Sequence, residues 1–349
     1  MVHAYDGDWA DSTYWHNNHG FDPAVEGWAY EFYDKNERNR SNLTQEIRLS
    51  MESIIMGGYF KQLIEQDEAM GYLYGGAATD ATSHYDFLVA AGYGQYGVNL
   101  TPSLKLKANV RFENNSIKYE GTSQGLNDYW EKIKLPPINF YIDHAMIGYR
   151  TSLHYLKDKF TSFYGSVSQG YKSGGVNQQP YLSDTSRPFD PEFIQNFEVG
   201  LNRVTNFYRT QLSAFYSLRK DQQVSLSSQQ VEGDPNSFLF YTTNAGSGTI
   251  QGVEWEKTLN VSSILNMDTS LGYLTTWVDK FTYFAAEGVE AIGGNREAAM
   301  SPEITGSVGF NYENESGFFA STLMSFKDEY YFSDSHDQKS VPYSLLSLT

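Results

Sequence analysis

The chain has 349 residues, with 42 Asp and Glu against 25 Lys and Arg, and its net charge of −17 would repel the phosphates of a nucleic-acid partner. It has no cysteine, so neither a disulfide framework nor a thiolate metal site can be built. No run approaches the roughly eighteen apolar residues of a membrane helix, which excludes a helical membrane protein. Aromatic residues nevertheless make up 16% of the chain, as expected where aromatic belts mark two membrane interfaces.

Alternation of apolar and polar residues predicts strands over 1–9, 42–50, 54–66, 84–98, 103–113, 140–153, 161–172, 191–203, 207–221, 248–259, 267–280, 302–313, 317–329 and 343–349. The stretch 103–113 is the plainest. Leu104, Leu106, Ala108, Val110 and Phe112 fall on one face, and Lys105, Lys107, Asn109, Arg111 and Glu113 on the other, because successive side chains of a strand point to opposite sides. Farther on, Phe193, Phe197, Val199 and Leu201 alternate with Glu192, Asn196, Glu198 and Asn202. Tyr208, Leu212, Ala214, Tyr216 and Leu218 alternate with Arg209, Gln211, Ser213, Ser217 and Arg219. Near the end, Ile304, Val308, Phe310 and Tyr312 alternate with Thr305, Ser307 and Asn311. Each run is about ten residues long, the length a tilted strand needs to cross a bilayer.

Charges repeated on one face of many strands require an interior that is wet or filled by polar protein, since unpaired charge in a dry core is too costly. Lys105, Lys107, Arg111, Arg209 and Arg219 are therefore expected to face the lumen. Short connections at 51–53, 99–102, 154–160, 204–206, 260–266 and 314–316 alternate with long ones at 10–41, 67–83, 114–139, 173–190, 222–247, 281–301 and 330–342. Outer-membrane barrels show that asymmetry, with short periplasmic turns and long external loops. The reading is an all-β, antiparallel, up-and-down transmembrane barrel of about fourteen strands that occupies residues 1–349, with the outer-membrane lipid as its first partner. Most of the acidic excess lies in the long loops, as for a solvated external face.

Residues 163–177, Phe-Tyr-Gly-Ser-Val-Ser-Gln-Gly-Tyr-Lys-Ser-Gly-Gly-Val-Asn, begin a series of motifs. Phe189-Asp190-Pro191-Glu192 with Asn196-Phe197-Glu198-Val199-Gly200-Leu201 comes next, followed by Ala214-Phe215-Tyr216 and Asp221-Gln222-Gln223-Val224. Asn244-Ala245-Gly246 precedes Gly252-Val253-Glu254, and Gly294-Asn295-Arg296 precedes Ser301-Pro302. Upstream stand Tyr5-Asp6-Gly7-Asp8-Trp9 and Glu46-Ile47-Arg48-Leu49-Ser50. In this order they resemble the barrel motifs of TonB-dependent outer-membrane receptors, with Asn202 where that family usually has Lys.

The resemblance implies the barrel of a transporter that binds a scarce nutrient outside the cell, most often a ferric siderophore, and admits it when TonB pulls on an internal plug. It also implies a larger cylinder of about 22 strands, wide enough to enclose that plug. No plug, TonB-contacting box or secretion signal precedes Met1, and the chain is expected to be a portion of such a receptor, forming an open sheet. A passive porin-like channel and a barrel enzyme remain as alternatives.

Candidate chemistry is sparse. His16 and His19 stand three apart beside Trp15 in the first long loop, a candidate contact for a metal complex. Asp6-Gly7-Asp8 lacks the further oxygen ligands of a calcium loop, and Gly170, Gly174 and Gly175 lack the strand-to-helix setting of a phosphate loop. Ser166, His144 and Asp143 have the residue types of a hydrolase triad, though spacing alone fixes none. Neither a catalytic residue, a resident metal nor a cofactor is expected.

Overall fold

The computed structural model describes residues 2–8, 29–73, 78–127, 131–179, 182–229, 238–286, 289–334 and 337–349. The strands in chain order are β1 (Val2–Asp8), β2 (Ala29–Ser50), β3 (Ile54–Leu73), β4 (Ala78–Thr101), β5 (Leu104–Leu126), β6 (Lys132–Lys134), β7 (Ile138–Leu156), β8 (Thr161–Lys172), β9 (Gly175–Val176) and β10 (Pro188–Phe189). They continue as β11 (Glu192–Val204), β12 (Tyr208–Lys220), β13 (Gln223–Gln229), β14 (Phe238–Asn244), β15 (Ser247–Ser262), β16 (Leu265–Val278), β17 (Phe281–Ala286), β18 (Val289–Gly293), β19 (Ile304–Glu313), β20 (Phe319–Lys327) and β21 (Tyr343–Leu348).

One antiparallel sheet runs β1-β2-β3-β4-β5-β7-β8-β11-β12-β15-β16-β19-β20-β21, each strand beside its predecessor, with β6 appended to β5. This path contains the fourteen strands expected from alternation. Among the described residues no ladder joins β1 to β21, and the sheet is open.

Cross-strand pairs lie on the same face, so the register fixes both faces of the sheet. Met56, Gly94, Val110 and Tyr149 form one row of the apolar face, and Gly58, Gly92, Phe112 and Ile147 the next. Val199 and Ala214 continue that face through Val253 to Tyr273. Ile47, Leu49, Phe112, Val199 and Leu348 remain largely exposed on it, an apolar band far too large for a water-facing surface. It is the lipid face. At the short-turn end it carries aromatic residues: Tyr155 stacked on Phe163, Tyr312 edge-on to Phe318, and Trp255, whose indole N–H donates to Thr210 Oγ1 at 3.0 Å.

The first five long strands of the path exceed the lengths expected from sequence. β2 reaches back to Ala29 and β3 on to Leu73, β4 starts at Ala78, β5 runs to Leu126 and β7 starts at Ile138. The expected loops at 10–41, 67–83 and 114–139 are thus partly strand. Beyond Phe112 the polarity of the two faces is exchanged: Asn114, Ser116, Lys118 and Glu120 lie on the outer face, while Ile117 and Tyr119 are buried on the inner one. Water replaces lipid outside at that level, and the apolar side chains turn inward to pack against the cap. Ile138 and Met146 of β7 are buried there too.

The remaining long connections carry three small hairpins, β9–β10, β13–β14 and β17–β18. Leu182, Val224, Leu226, Tyr241, Ala245, Val278 and Phe281 form the apolar core beneath them. The core therefore belongs to the external cap, whereas the membrane-level wall has a polar inner face.

Candidate functional site

Two straps of the same design cross the inner face at membrane level. Tyr93 on β4 lies over Gly57 on β3, where an added Cβ would fall 2.5 Å from the phenol oxygen, and its hydroxyl donates to Glu46 on β2. Tyr171 on β8 lies over Gly148 on β7, where a Cβ would fall 3.1 Å from the ring, and its hydroxyl donates to Glu113 on β5 at 3.1 Å. A tyrosine thus spans a glycine to reach a glutamate two strands away. Arg111 completes the second strap: its Nε donates to Glu113 Oε2 at 2.8 Å and to the Tyr171 hydroxyl at 3.2 Å, and the guanidinium sits 5.3 Å above the Tyr59 ring. Such a group of charge-assisted bonds holds a carboxylate and a guanidinium on the wall without leaving either bare.

Beside these straps lies a hollow of about 610 Å³, lined among others by Glu46, Arg48, Tyr93, Asn109, Arg111 and Arg150. The guanidinium of Arg150 makes one long contact, to Ser166 Oγ at 3.4 Å. Lys107 and Lys105 follow on the same face of β5 toward the short-turn end, close to Gly97 of β4. Arg209 and Arg219 share the polar face of β12, with Arg219 donating from Nε to Glu192 Oε1 at 2.7 Å. Lys105, Lys107, Arg111, Arg209 and Arg219 thus share one face of the sheet, opposite the apolar band.

The joint between wall and cap brings distant sequence motifs together. Glu192 Oε2 accepts the backbone N–H of Gln223 at 2.9 Å, and Gln223 Nε2 donates to the carbonyls of Ser173 and Asp190 at 2.9 and 3.0 Å. Asn244 accepts from the Asp190 N–H at 2.7 Å and donates to the carbonyls of Asp190 and Asp221 at 3.0 and 2.8 Å. Asp221 is left-handed, with φ of 53°, where β12 turns into β13. The motifs around Glu192, Gln223 and Asn244 fasten the cap to the wall. Sequence reasoning offered these residues as family marks without a role, because nothing local reveals a contact between positions so far apart.

Asn177 holds the cap's first connection. It donates from Nδ2 to the carbonyls of Ser186, Arg187 and Thr242 at 3.1, 3.2 and 2.7 Å, and accepts the Thr242 N–H at 2.8 Å. Nearby, buried His144 faces Asp190 with 4.0 Å between Nε2 and Oδ1, and its Nδ1 and the Oδ1 of its cross-strand partner Asn115 lack hydrogen-bond partners. This part of β7 is above the lipid band. Burial lowers the pKa of His144 from the ordinary histidine value, against the opposing pull of Asp190 and Asp143.

Ser166, His144 and Asp143 do not assemble into a triad. Asp143 points to the outer face and accepts from Ser116, while His144 points inward. Ser166 pairs with Ser152, eight residues along β7 from His144, or roughly 26 Å at the rise of a strand. Trp15, His16 and His19 lie outside the described residues. Among those described, no three His, Asp or Glu side chains are grouped to hold a metal ion.

The family model for the TonB-dependent receptor-like β-barrel matches residues 2–349. The chain belongs to that family. Its place is accordingly the bacterial outer membrane, which agrees with the apolar band. The crystal structure of the ferric yersiniabactin uptake receptor FyuA from Yersinia pestis superposes with a TM-score of 0.71 at 17% identity, over 92% of this chain and 49% of that one. The copper transporter OprC superposes with a TM-score of 0.68 at 13% identity, over 91% of this chain and 49% of that one. The pesticin receptor of Yersinia pestis is 27% identical over 168 residues, 48% of this chain and 23% of that receptor. The chain thus spans about half the length of the solved receptors it resembles.

Proposed function

We propose that this barrel wall belongs to a receptor that takes up a scarce metal chelate, a ferric siderophore, with energy delivered by TonB through a plug held against the inner face. The observation that carries the reading is a family match along the whole wall together with a polar inner face lined by cations and strapped carboxylates. The ferric yersiniabactin taken up by FyuA supports a ferric chelate as the first choice, and OprC makes copper the runner-up. A porin-like channel would use the same wall without energy input.

The test is uptake of radiolabelled iron chelates by cells whose only such receptor is the full-length protein. Accumulation that stops when a protonophore collapses the proton gradient, or when TonB is deleted, supports the proposal. Equal entry with and without energy would replace it by passive diffusion. Energised uptake of copper with no uptake of any iron chelate would overturn the choice of metal.

A further inference from the structure

Four cations of the inner face form a descending series. Arg48 and Arg150 line the hollow, and Arg111 and Tyr93 share Arg48's level through the register Arg48–Gly57–Tyr93–Arg111. Below them Lys107 pairs in register with Ser152, and Lys105 with His154, at the short-turn end. From Arg111 to Lys105 is six residues, roughly 20 Å along β5.

Arg111 is neutralised by Glu113. Arg48, Arg150, Lys107 and Lys105, by contrast, have no carboxylate within ion-pairing distance among the described residues. The other side of the wall is predominantly of the opposite sign, although β12 brings to it Arg209 and the Glu192-paired Arg219. Glu198, Glu254, Glu256 and Asp268 share the inner face of β11, β15 and β16. Glu198 and Asp268 are held by neighbouring hydroxyl and amide donors, and Glu254 and Glu256 remain exposed. An anion moving through this interior is repelled from the second sector and attracted along the first.

We propose that the inner face of β2, β5 and β7 is the track for a small, multiply anionic chelate, which passes from the hollow at Arg48 and Arg150 to Lys107 and Lys105. This inference rests on the uptake reading for the identity of the cargo, but the electrostatic track can be measured without it. The anion meets cations that lack a carboxylate partner one after another, each strong enough to attract it and none enclosing it. Arg111, already occupied by Glu113 and Tyr171, keeps the upper wall in place beside it.

The experiment uses the full-length receptor in outer-membrane vesicles, with Asn109→Cys placed between Lys107 and Arg111 and the same protein lacking it as the control. Its rate of reaction is measured with a sulfonate-bearing and a trimethylammonium-bearing methanethiosulfonate. The ratio of anionic to cationic rate is expected to exceed that of free cysteine by about ten-fold. It should return toward the free value in an Arg150→Gln/Lys107→Gln background and in high salt. A ratio at or below that of free cysteine would overturn the track, as would failure of both small reagents to react.

In a second arm, the same double substitution should lower energised uptake of ferric citrate by about ten-fold in maximal velocity, with the half-saturating concentration little changed. An unchanged velocity would overturn the track's role in transport. If the unsubstituted receptor shows no energised uptake of any iron chelate, the function proposed above fails, while the cysteine ratio still decides the track.

Discussion

Val199 and Tyr141 are both exposed on the outer face of the sheet, at 62% and 70% respectively, yet they should respond very differently to arginine. Val199 lies five residues from the end of β11 at Val204. At 3.3 Å per residue and a tilt of about 40°, it stands about 13 Å above the short-turn end, near the middle of an apolar band about 25 Å tall. Tyr141 lies fifteen residues from the end of β7 at Leu156, which places it about 38 Å up and clear of that band. Val199→Arg should therefore cost about 2–4 kcal/mol, and Tyr141→Arg about 0–1 kcal/mol. The assay is reversible urea unfolding of the full-length receptor in lipid bilayers, followed by tryptophan fluorescence. Equal costs at the two positions, or a larger one at Tyr141, would refute both the depth assignment and the exchange of face polarity above Phe112.

Tyr171→Phe removes the hydroxyl shared by Arg111 and Glu113 and should destabilise the wall by about 1–3 kcal/mol; a double-mutant cycle with Glu113→Gln that shows no coupling would contradict the strap. Asn177→Ala leaves the Thr242 N–H and three carbonyls without their shared partner. It should open 177–187 to limited proteolysis with β2–β5 unaffected, and an unchanged digestion pattern would argue against the clamp. His144 prefers to be neutral in the fold, so its contribution is fully present above the ordinary histidine pKa near 6.5 and is lost as pH falls through its lowered folded value. Hydrogen exchange of the Ser173–Asp190 amides should accelerate over that interval, and His144→Gln should abolish the pH dependence; equal acceleration in the variant would assign it to other groups.

Alternation made the membrane-level wall legible. A strand such as Leu104–Phe112 states its two faces outright, because lipid outside and water inside impose opposite demands at a period of two. The same logic obscured the upper strands. Once water lies outside and the packed cap inside, Lys118 and Glu120 no longer stand opposite a polar face, and the stretch reads as a loop although its ladder continues. The straps were hidden for another reason. Gly57 and Gly148 fall inside strands predicted from alternation, but nothing local shows that each makes room for a ring contributed by another strand. Family motifs marked Glu192, Gln223 and Asn244, but their role became visible only where β8, β11, β13 and β14 converge.

The central claim is that one face of this sheet meets lipid and the other meets water, and a pair of nitroxide labels tests it directly. These 349 residues contain no cysteine, so Phe112→Cys and Lys107→Cys can each carry one label in the full-length receptor, reconstituted in bilayers with any cysteine outside them replaced by serine. Relaxation by oxygen, which concentrates in hydrocarbon, should dominate at Phe112, and relaxation by a water-soluble nickel chelate should dominate at Lys107. The reverse order, or identical responses at both positions, would contradict the assignment of the two faces.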